Sequence, residues 1–376
     1  MTKRLLLIGG GHAHVHVLDV LARRILTDAK DHDALEVTLV SPHAEQVYSG
    51  MLPGWIAGHY ALDACCIPLS PLAARAGARL VARHVVAIDP VARIATCDNG
   101  EVLPYNVASV DIGSAANDGG IRGAREFAIG IRPWPNFVAA IDRWKKECVA
   151  RTHEGRQTVV VGGGAGGIEI VLALAHTASH TNSRQHLTLV SASNSLAAGF
   201  ARRVLAALKR SGIHVVAGQA ATEVTADAVM LADGRRLPST FTIVSLGAAA
   251  HVWLKQSGLP CDAQGYVLTD PTLRVSGQTD LFAVGDCATM AAYPRPKSGV
   301  YAVRAGPPLA DNLLRQLEGN QLRPYVPQRR ALYLIATGRQ YAIGSWGPLS
   351  WEGEWVWRWK DRIDRAFIEQ YARHAR

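Results

Sequence analysis

Leu5-Leu-Leu-Ile-Gly-Gly-Gly-His-Ala-His-Val15 is a run of aliphatics that breaks into three glycines and then into a helix-like pattern. A short continuous apolar run is the mark of a strand buried on both faces of a parallel sheet. Glycines directly after it let the chain turn tightly and bring its backbone close to a phosphate. The helix that follows aims its unpaired N–H groups and positive dipole end at that phosphate. Gly9 and Gly11 occupy the first two positions of Gly-x-Gly-x-x-Gly, but the third, where glycine lets helix and strand touch, is His14. Alone, so incomplete a fingerprint does not separate a nucleotide site from an ordinary strand-turn-helix.

The same unit returns further along. Thr158–Val161 is apolar, Gly162-Gly-Gly-Ala-Gly-Gly167 is a complete fingerprint, and Ile168–Ala175 continues as an apolar helix; Gly162 lies 153 residues after Gly9. Each unit is followed by a second strand, Glu36–Val40 and Leu187–Val190, which ends on Ser41 and Ser191. Folds of this kind usually carry a carboxylate there for the ribose hydroxyls. A repeat of this length implies two dinucleotide-binding domains. The expected class is α/β, with two Rossmann-like three-layer domains and a short C-terminal hairpin and helix.

The intervening chain fits that plan. Tyr48–Tyr60 is rich in glycine and aromatics, suited to a buried loop or to a flat apolar wall for a planar ring. Arg79–Val110 alternates like antiparallel strands around the turn Asp98-Asn99-Gly100. Asp280–Asp286 reads as a short buried strand ending in Gly285-Asp286, where a carboxylate can accept from sugar hydroxyls or cap a helix. Lys297-Ser298-Gly299 opens an amphipathic helix to about Leu317, and Ala331–Trp346 reads as a hairpin around Gly338. The last helix, about Trp355–Tyr371, puts Val356, Trp359, Ile363, Phe367 and Tyr371 on one stripe.

Composition narrows the class. The 376 residues are 48% hydrophobic and 19% charged, which suits a folded chain of two or three domains. Of the net charge of +9, about half lies from Arg323 to Arg376, where ten Lys/Arg face five Asp/Glu. A soluble basic surface is the common meaning of such an excess, acidic lipid the sharper one; no nucleic-acid motif accompanies it. No apolar run approaches the roughly 18 residues that span a bilayer, so a cytoplasmic protein, or one peripheral on the inner membrane face, is expected. The six cysteines show no Cys-x-x-Cys spacing, and Cys65-Cys66 reads as two buried thiols. His12 and His16 share a helix face but lack a third ligand, so no metal is expected. His14 is expected to pack or hydrogen-bond at the helix-strand crossing.

Together the two fingerprints, the strand ends Ile112-Gly113-Ser114 and Leu246-Gly247, and Phe282-Ala-Val-Gly-Asp286 resemble the FAD-dependent pyridine nucleotide-disulfide oxidoreductase superfamily. The chain is most similar to its branch of type II NADH dehydrogenases and sulfide:quinone oxidoreductases. Within that branch Tyr48-Ser-Gly-Met-Leu-Pro-Gly54, Lys297-Ser-Gly-Val-Tyr-Ala302 and Trp355-Val-Trp-Arg-Trp-Lys-Asp-Arg-Ile-Asp-Arg365 resemble the flavoprotein module fused to selenide, water dikinase.

That resemblance implies an FAD-binding domain from 1–115 and 275–325, an NAD(P)-binding domain from 116–274, and an interface or membrane-facing region from 326–376. It implies that Gly9, Gly11, His12 and Ala13 cradle the FAD pyrophosphate, that Ser41 meets the adenosine ribose, and that Val86 lies beside the adenine. Gly113 would close the phosphate loop, and Gly285 and Asp286 would hold the ribityl or pyrophosphate region. Met51, Leu52 and Pro53 would face the isoalloxazine, with Lys297 and the Ser298 and Gly299 amides at its N1–C2=O edge, favouring negative charge there. Gly162, Gly164, Gly167 and Glu169 would form the nicotinamide nucleotide site, Glu169 being placed for proton transfer or else for a salt bridge. The thiol pairs of disulfide reductases and of sulfide:quinone oxidoreductases have no counterparts.

The expected function is transfer of electrons from NAD(P)H through FAD to a quinone or another small acceptor. Action on a sulfur or selenium species is the alternative, and a flavin-bound sensor or scaffold without turnover is a second. Segment 351–372 would contact a membrane surface, a dimer partner or the flavin.

Overall fold

A computed structural model describes residues 2–27, 35–150, 155–181, 183–194, 196 and 200–372. Five parallel strands form the first sheet, in the order Leu281–Ala283, Val107–Val110, Lys3–Ile8, Leu35–Val40, Ala78–Val81. The second sheet repeats the layout with Ala128–Gly130, Phe241–Val244, Arg156–Val161, Gln185–Ser191 and His214–Ala217.

Leu5, Leu6, Leu7 and Ile8 are all buried, which is why the strand reads as unbroken aliphatics. Leu5 and Leu7 face a core shared with the helices His12–Thr27 and Gly299–Glu318. Leu6 and Ile8 face the antiparallel sheet Val85–Asp89, Ile94–Cys97, Val102–Pro104. Val159 and Val161 likewise meet Ala221–Val224 and Ala228–Leu231 in the second half. Each half is therefore a three-layer Rossmann-like unit. The expectation of antiparallel strands across Arg79–Val110 holds only for its middle, because Ala78–Val81 and Val107–Val110 join the parallel sheet.

The segment Leu281–Ala283 comes from far along the chain to complete the first sheet, and this delivers Gly285 and Asp286 to the sheet's carboxyl end beside Gly9. A third antiparallel sheet, Leu332–Ala336, Ala342–Trp346 and Leu349–Gly353, leads into the last helix, Glu354–Ala372.

That helix is turned differently from the stripe its apolar residues suggest. Its buried residues are Val356, Lys360, Asp364, Ile368 and Tyr371, whereas Trp359 and Ile363 are exposed with Trp355. The reason is that Lys360 and Asp364, four residues apart, satisfy each other inside. Among the described residues no helix is long and apolar enough to cross a membrane.

Candidate functional site

Both glycine turns are forced by sterics. Gly9 has φ +93°, and a Cβ there would lie 2.4 Å from the Asp111 carbonyl oxygen; Gly162 has φ +131°, and its Cβ would lie 2.1 Å from that of Ser245. No side chain fits either place.

From the first turn a cleft of about 320 Å³ opens, a size suited to a small-molecule site. It is lined by Gly9, Gly11, Ser41, Gly113, Arg132, Asp286 and Gly299 among others. Two buried nitrogens in its wall, His12 Nε2 and His251 Nε2, have no hydrogen-bond partner. Burial, and then the charge of Arg132, holds the His12 imidazole down to about 4, so it is neutral at pH 7. The Arg132 guanidinium lies over Gly113 and makes no ion pair among the described residues. A cation without an ion pair, resting over the Trp134 ring at 5.5 Å, two orphaned imidazole nitrogens and a helix N-terminus in one wall suit an anionic, multiply accepting ligand such as a dinucleotide pyrophosphate. The residues present therefore fit such a cofactor.

Two carboxyls stand at the same place. Asp111 Oδ2 accepts from the amides of Ala13 (2.8 Å) and His14 (3.1 Å), capping the first helix. Burial pushes Asp111 up to about 7 against those two bonds, with Asp286 adding to the rise. Asp286 is itself raised by burial, while Arg132 and Lys297 draw it down.

Several residues expected at the site lie elsewhere in it. Val86 is 46% exposed, and its neighbour Val85 lines the cleft, because the strand carries a register shift after Val85. Ala13 is fully enclosed and contributes only its amide, to Asp111. Met51 and Leu52 are enclosed by protein at 1% and 3% exposure, and Pro53 is buried beside them. The chain coils through Ser49–Met51 and Leu52–Ile56 and sends them into the core. Ser49 is the part of that loop that lines the cleft. Lys297 donates to the Ala288 carbonyl and to Thr289 Oγ1 and lies 4.0 Å above the Tyr266 ring. With Gly285 and Ser298 it lines a smaller cavity of about 70 Å³ that shares Asp286 with the main cleft. Its ammonium turns there because a carbonyl, a hydroxyl and a ring face satisfy it.

The second glycine turn is open. Gly164 caps the helix Ala165–His180 with nothing within 4 Å of a built Cβ, and Gly167 touches the strand. Ser191 Oγ donates to the Ser193 carbonyl at 2.8 Å, as Ser41 Oγ does to His43 at 3.0 Å, so both serines serve their own loops. Arg203, which follows Arg202 on the next helix, is committed to Ser350 and Glu352.

Glu169 points away from that turn. Its Oε1 accepts from the Ala336 amide at 2.9 Å, and burial pushes the carboxyl up to about 7, with Lys360 opposing and Asp364 reinforcing the rise. Lys360 and Asp364 were legible in the sequence as an i,i+4 pair but not as an inward-facing one. Burial also pushes the thiols of Cys65, Cys66 and Cys287 up to about 12, far from thiolate at neutral pH.

Residues 3–306 match the family described as pyridine nucleotide-disulphide oxidoreductase. A probable NADH dehydrogenase of Dictyostelium discoideum is 28% identical over 64% of this chain, and the match spans 58% of that protein's length. The type II NADH:quinone oxidoreductase of Staphylococcus saprophyticus is 21% identical over 84% of this chain and 83% of its own. In structure, the sulfide:quinone oxidoreductase of Aquifex aeolicus superposes with a TM-score of 0.82 at 17% identity, covering 99% of this chain and 92% of its own. At that identity the likeness establishes the fold.

Proposed function

Because the chain belongs to the pyridine nucleotide-disulphide oxidoreductase family, we propose that it is an FAD-dependent enzyme that passes electrons from NAD(P)H to a quinone or other small acceptor. The observation that supports this most is the pairing of a polar-walled cleft at the first glycine turn with an open glycine turn at the second. Bound FAD would supply a ring that takes two electrons from a reduced nicotinamide and yields them to the acceptor.

The chain's own residues do the rest. The turn Gly9–Gly11, His12 and Arg132 would hold the pyrophosphate, Asp286 would accept from ribityl hydroxyls, and the helix that begins at Gly299 would turn its first amides, with their partial positive charge, towards the cofactor. Lys297 adds positive charge from behind that helix start. Met51, Leu52 and Pro53 back the loop that forms the ring's wall. Gly162, Gly164 and Gly167 admit the nicotinamide nucleotide. Glu169, its carboxyl pushed up to about 7 by burial, would hold a proton near neutral pH.

Trp346, Leu349, Trp355, Trp359 and Ile363 are exposed; Trp346 pairs with Leu349 across the hairpin, Trp355 stacks on Trp359, and the Arg330 guanidinium lies over Trp346. This supports peripheral seating on a membrane, where a quinone would be met.

Chemically reduced holoprotein, mixed anaerobically with a short-chain quinone, is expected to regain its oxidised flavin spectrum within the turnover time. Reoxidation by polysulfide or selenium species and not by quinone would overturn the quinone assignment.

A further inference from the structure

The strand Val107–Val110 runs into Asp111, which is 2% exposed and lines the cleft. A Cβ built on Gly11 would lie 2.2 Å from its carboxyl carbon, and one built on Gly285 would lie 2.7 Å from its Oδ1. The carboxyl is therefore pressed between the two segments that bring Gly9–Gly11 and Asp286 to the cleft. Oδ2 is taken by the amides of Ala13 and His14, and Oδ1 accepts no hydrogen bond among the described residues.

Amides at a helix start are a ready seat for a phosphate, and here the protein's own carboxyl occupies two of them. A dinucleotide pyrophosphate would add a double negative charge to a wall that already holds Asp111 and Asp286. Like charges crowded in a desolvated place do not all stay ionised. Asp286 is drawn down by Arg132 and Lys297. Asp111 has no cation of its own, and burial with Asp286 already raises it to about 7. Asp111 is thus the carboxyl that yields.

We propose that Asp111 receives the dinucleotide as a neutral acid, so that the chain takes up a proton from solvent when FAD binds. The proposal rests on the reading of the cleft as the FAD site. The proton sits on Oδ1, from which Asp111 donates to the pyrophosphate, while Oδ2 keeps its two amides. Carboxylate and proton give the acid, no other bond is made or broken, and the proton returns to solvent when the cofactor leaves. The titratable and charged groups around Asp111 are Asp286 and Cys287 from the turn Gly285–Cys287, His12 and His14 from the first helix, and Arg132 across Gly113. Burial keeps both imidazoles and the Cys287 thiol neutral at pH 7.

The test is calorimetric titration of the full chain, stripped of cofactor, with FAD in pairs of buffers that differ in ionisation enthalpy, at pH 6, 7 and 8, with affinity read from flavin fluorescence. At pH 8 the wild type is expected to take up about one proton per FAD, and its affinity to fall by about tenfold per pH unit above about 7. Asp111→Asn keeps an acceptor for the two amides and an N–H in place of the acid O–H. It is expected to take up no proton at pH 8 and to change in affinity by less than about twofold from pH 7 to 8. If Asp111→Asn does not fold, wild-type protein carrying carbon-13 at its aspartate carboxyls is read by infrared difference spectroscopy, where FAD binding at pH 8 is expected to produce the band of a protonated carboxyl. FAD binding at pH 8 without proton uptake would overturn the role of Asp111. So would uptake that persists in Asp111→Asn, which would put the proton on an imidazole of the wall. Failure to bind FAD at any pH would overturn the reading of the cleft, and this proposal with it.

Discussion

His14 Nδ1 lies 2.6 Å from the carbonyl oxygen of Gly9, the counterpart of the oxygen that a Cβ on Gly167 would strike at 2.0 Å from Gly162. One domain thus meets this carbonyl with a ring and the other with bare backbone. A carbonyl only accepts, so Nδ1 carries the proton and Nε2 accepts from Ser109 Oγ at 2.8 Å. Burial holds the imidazole neutral, down to about 4, although the Gly9 bond opposes this.

His14→Ala is therefore expected to destabilise the fold by about 2–4 kcal/mol, through a cavity and a stranded hydroxyl and carbonyl. Gly167→His, the reciprocal change, is expected to prevent folding of the second domain. Urea denaturation of both variants checks this; equal, small effects would contradict it.

Stability should fall with pH. Asp111 and Glu169 are both raised to about 7 by burial, whereas unfolded carboxyls titrate near about 4. A raised folded value gives stability that is complete below the unfolded value and is lost as pH rises through the folded one. The protein without cofactor is expected to lose on the order of 3 kcal/mol per group between pH 4 and 8. Asp111→Asn should flatten part of that slope in melting curves taken across the range.

Arg132 is a cation of the cleft wall that makes no ion pair among the described residues and rests over the Trp134 ring. Arg132→Gln is expected to weaken FAD binding by about 10- to 100-fold and to reduce its salt dependence, read by titrating the stripped protein with FAD and following flavin fluorescence. Unchanged affinity would place the guanidinium outside the cofactor's reach.

Ser191 leaves the end of its strand without a charge, and Arg203 is held by Ser350 and Glu352. The enzyme is expected to discriminate little between NADH and NADPH. Ser191→Asp should favour NADH by about tenfold through a charge-assisted bond to the ribose, measured as the ratio of kcat/KM values.

The architecture was legible where sterics leave one residue type. Gly9 and Gly162 occupy places that no Cβ can enter, so the turns and their repeat could be read directly. Lys297 and the last helix were not legible in this way. Lys297 could satisfy its charge towards the cleft or towards Ala288 and Thr289, and only tertiary packing decides between them. On the last helix an apolar stripe competes with a paired one. Lys360 and Asp364 go inside because they pair with each other and Lys360 also donates to the Gly50 carbonyl, and Trp359 and Ile363 are turned outwards as a result. Val86 was displaced from the cleft by a register shift that leaves no mark in composition.

The central claim is tested most directly by mixing the FAD-loaded protein anaerobically with NADH and, separately, with NADPH. The account predicts loss of the oxidised flavin absorbance within the turnover time with at least one of them. Flavin that stays oxidised with both, yet is bleached by sulfide or selenide, would contradict it.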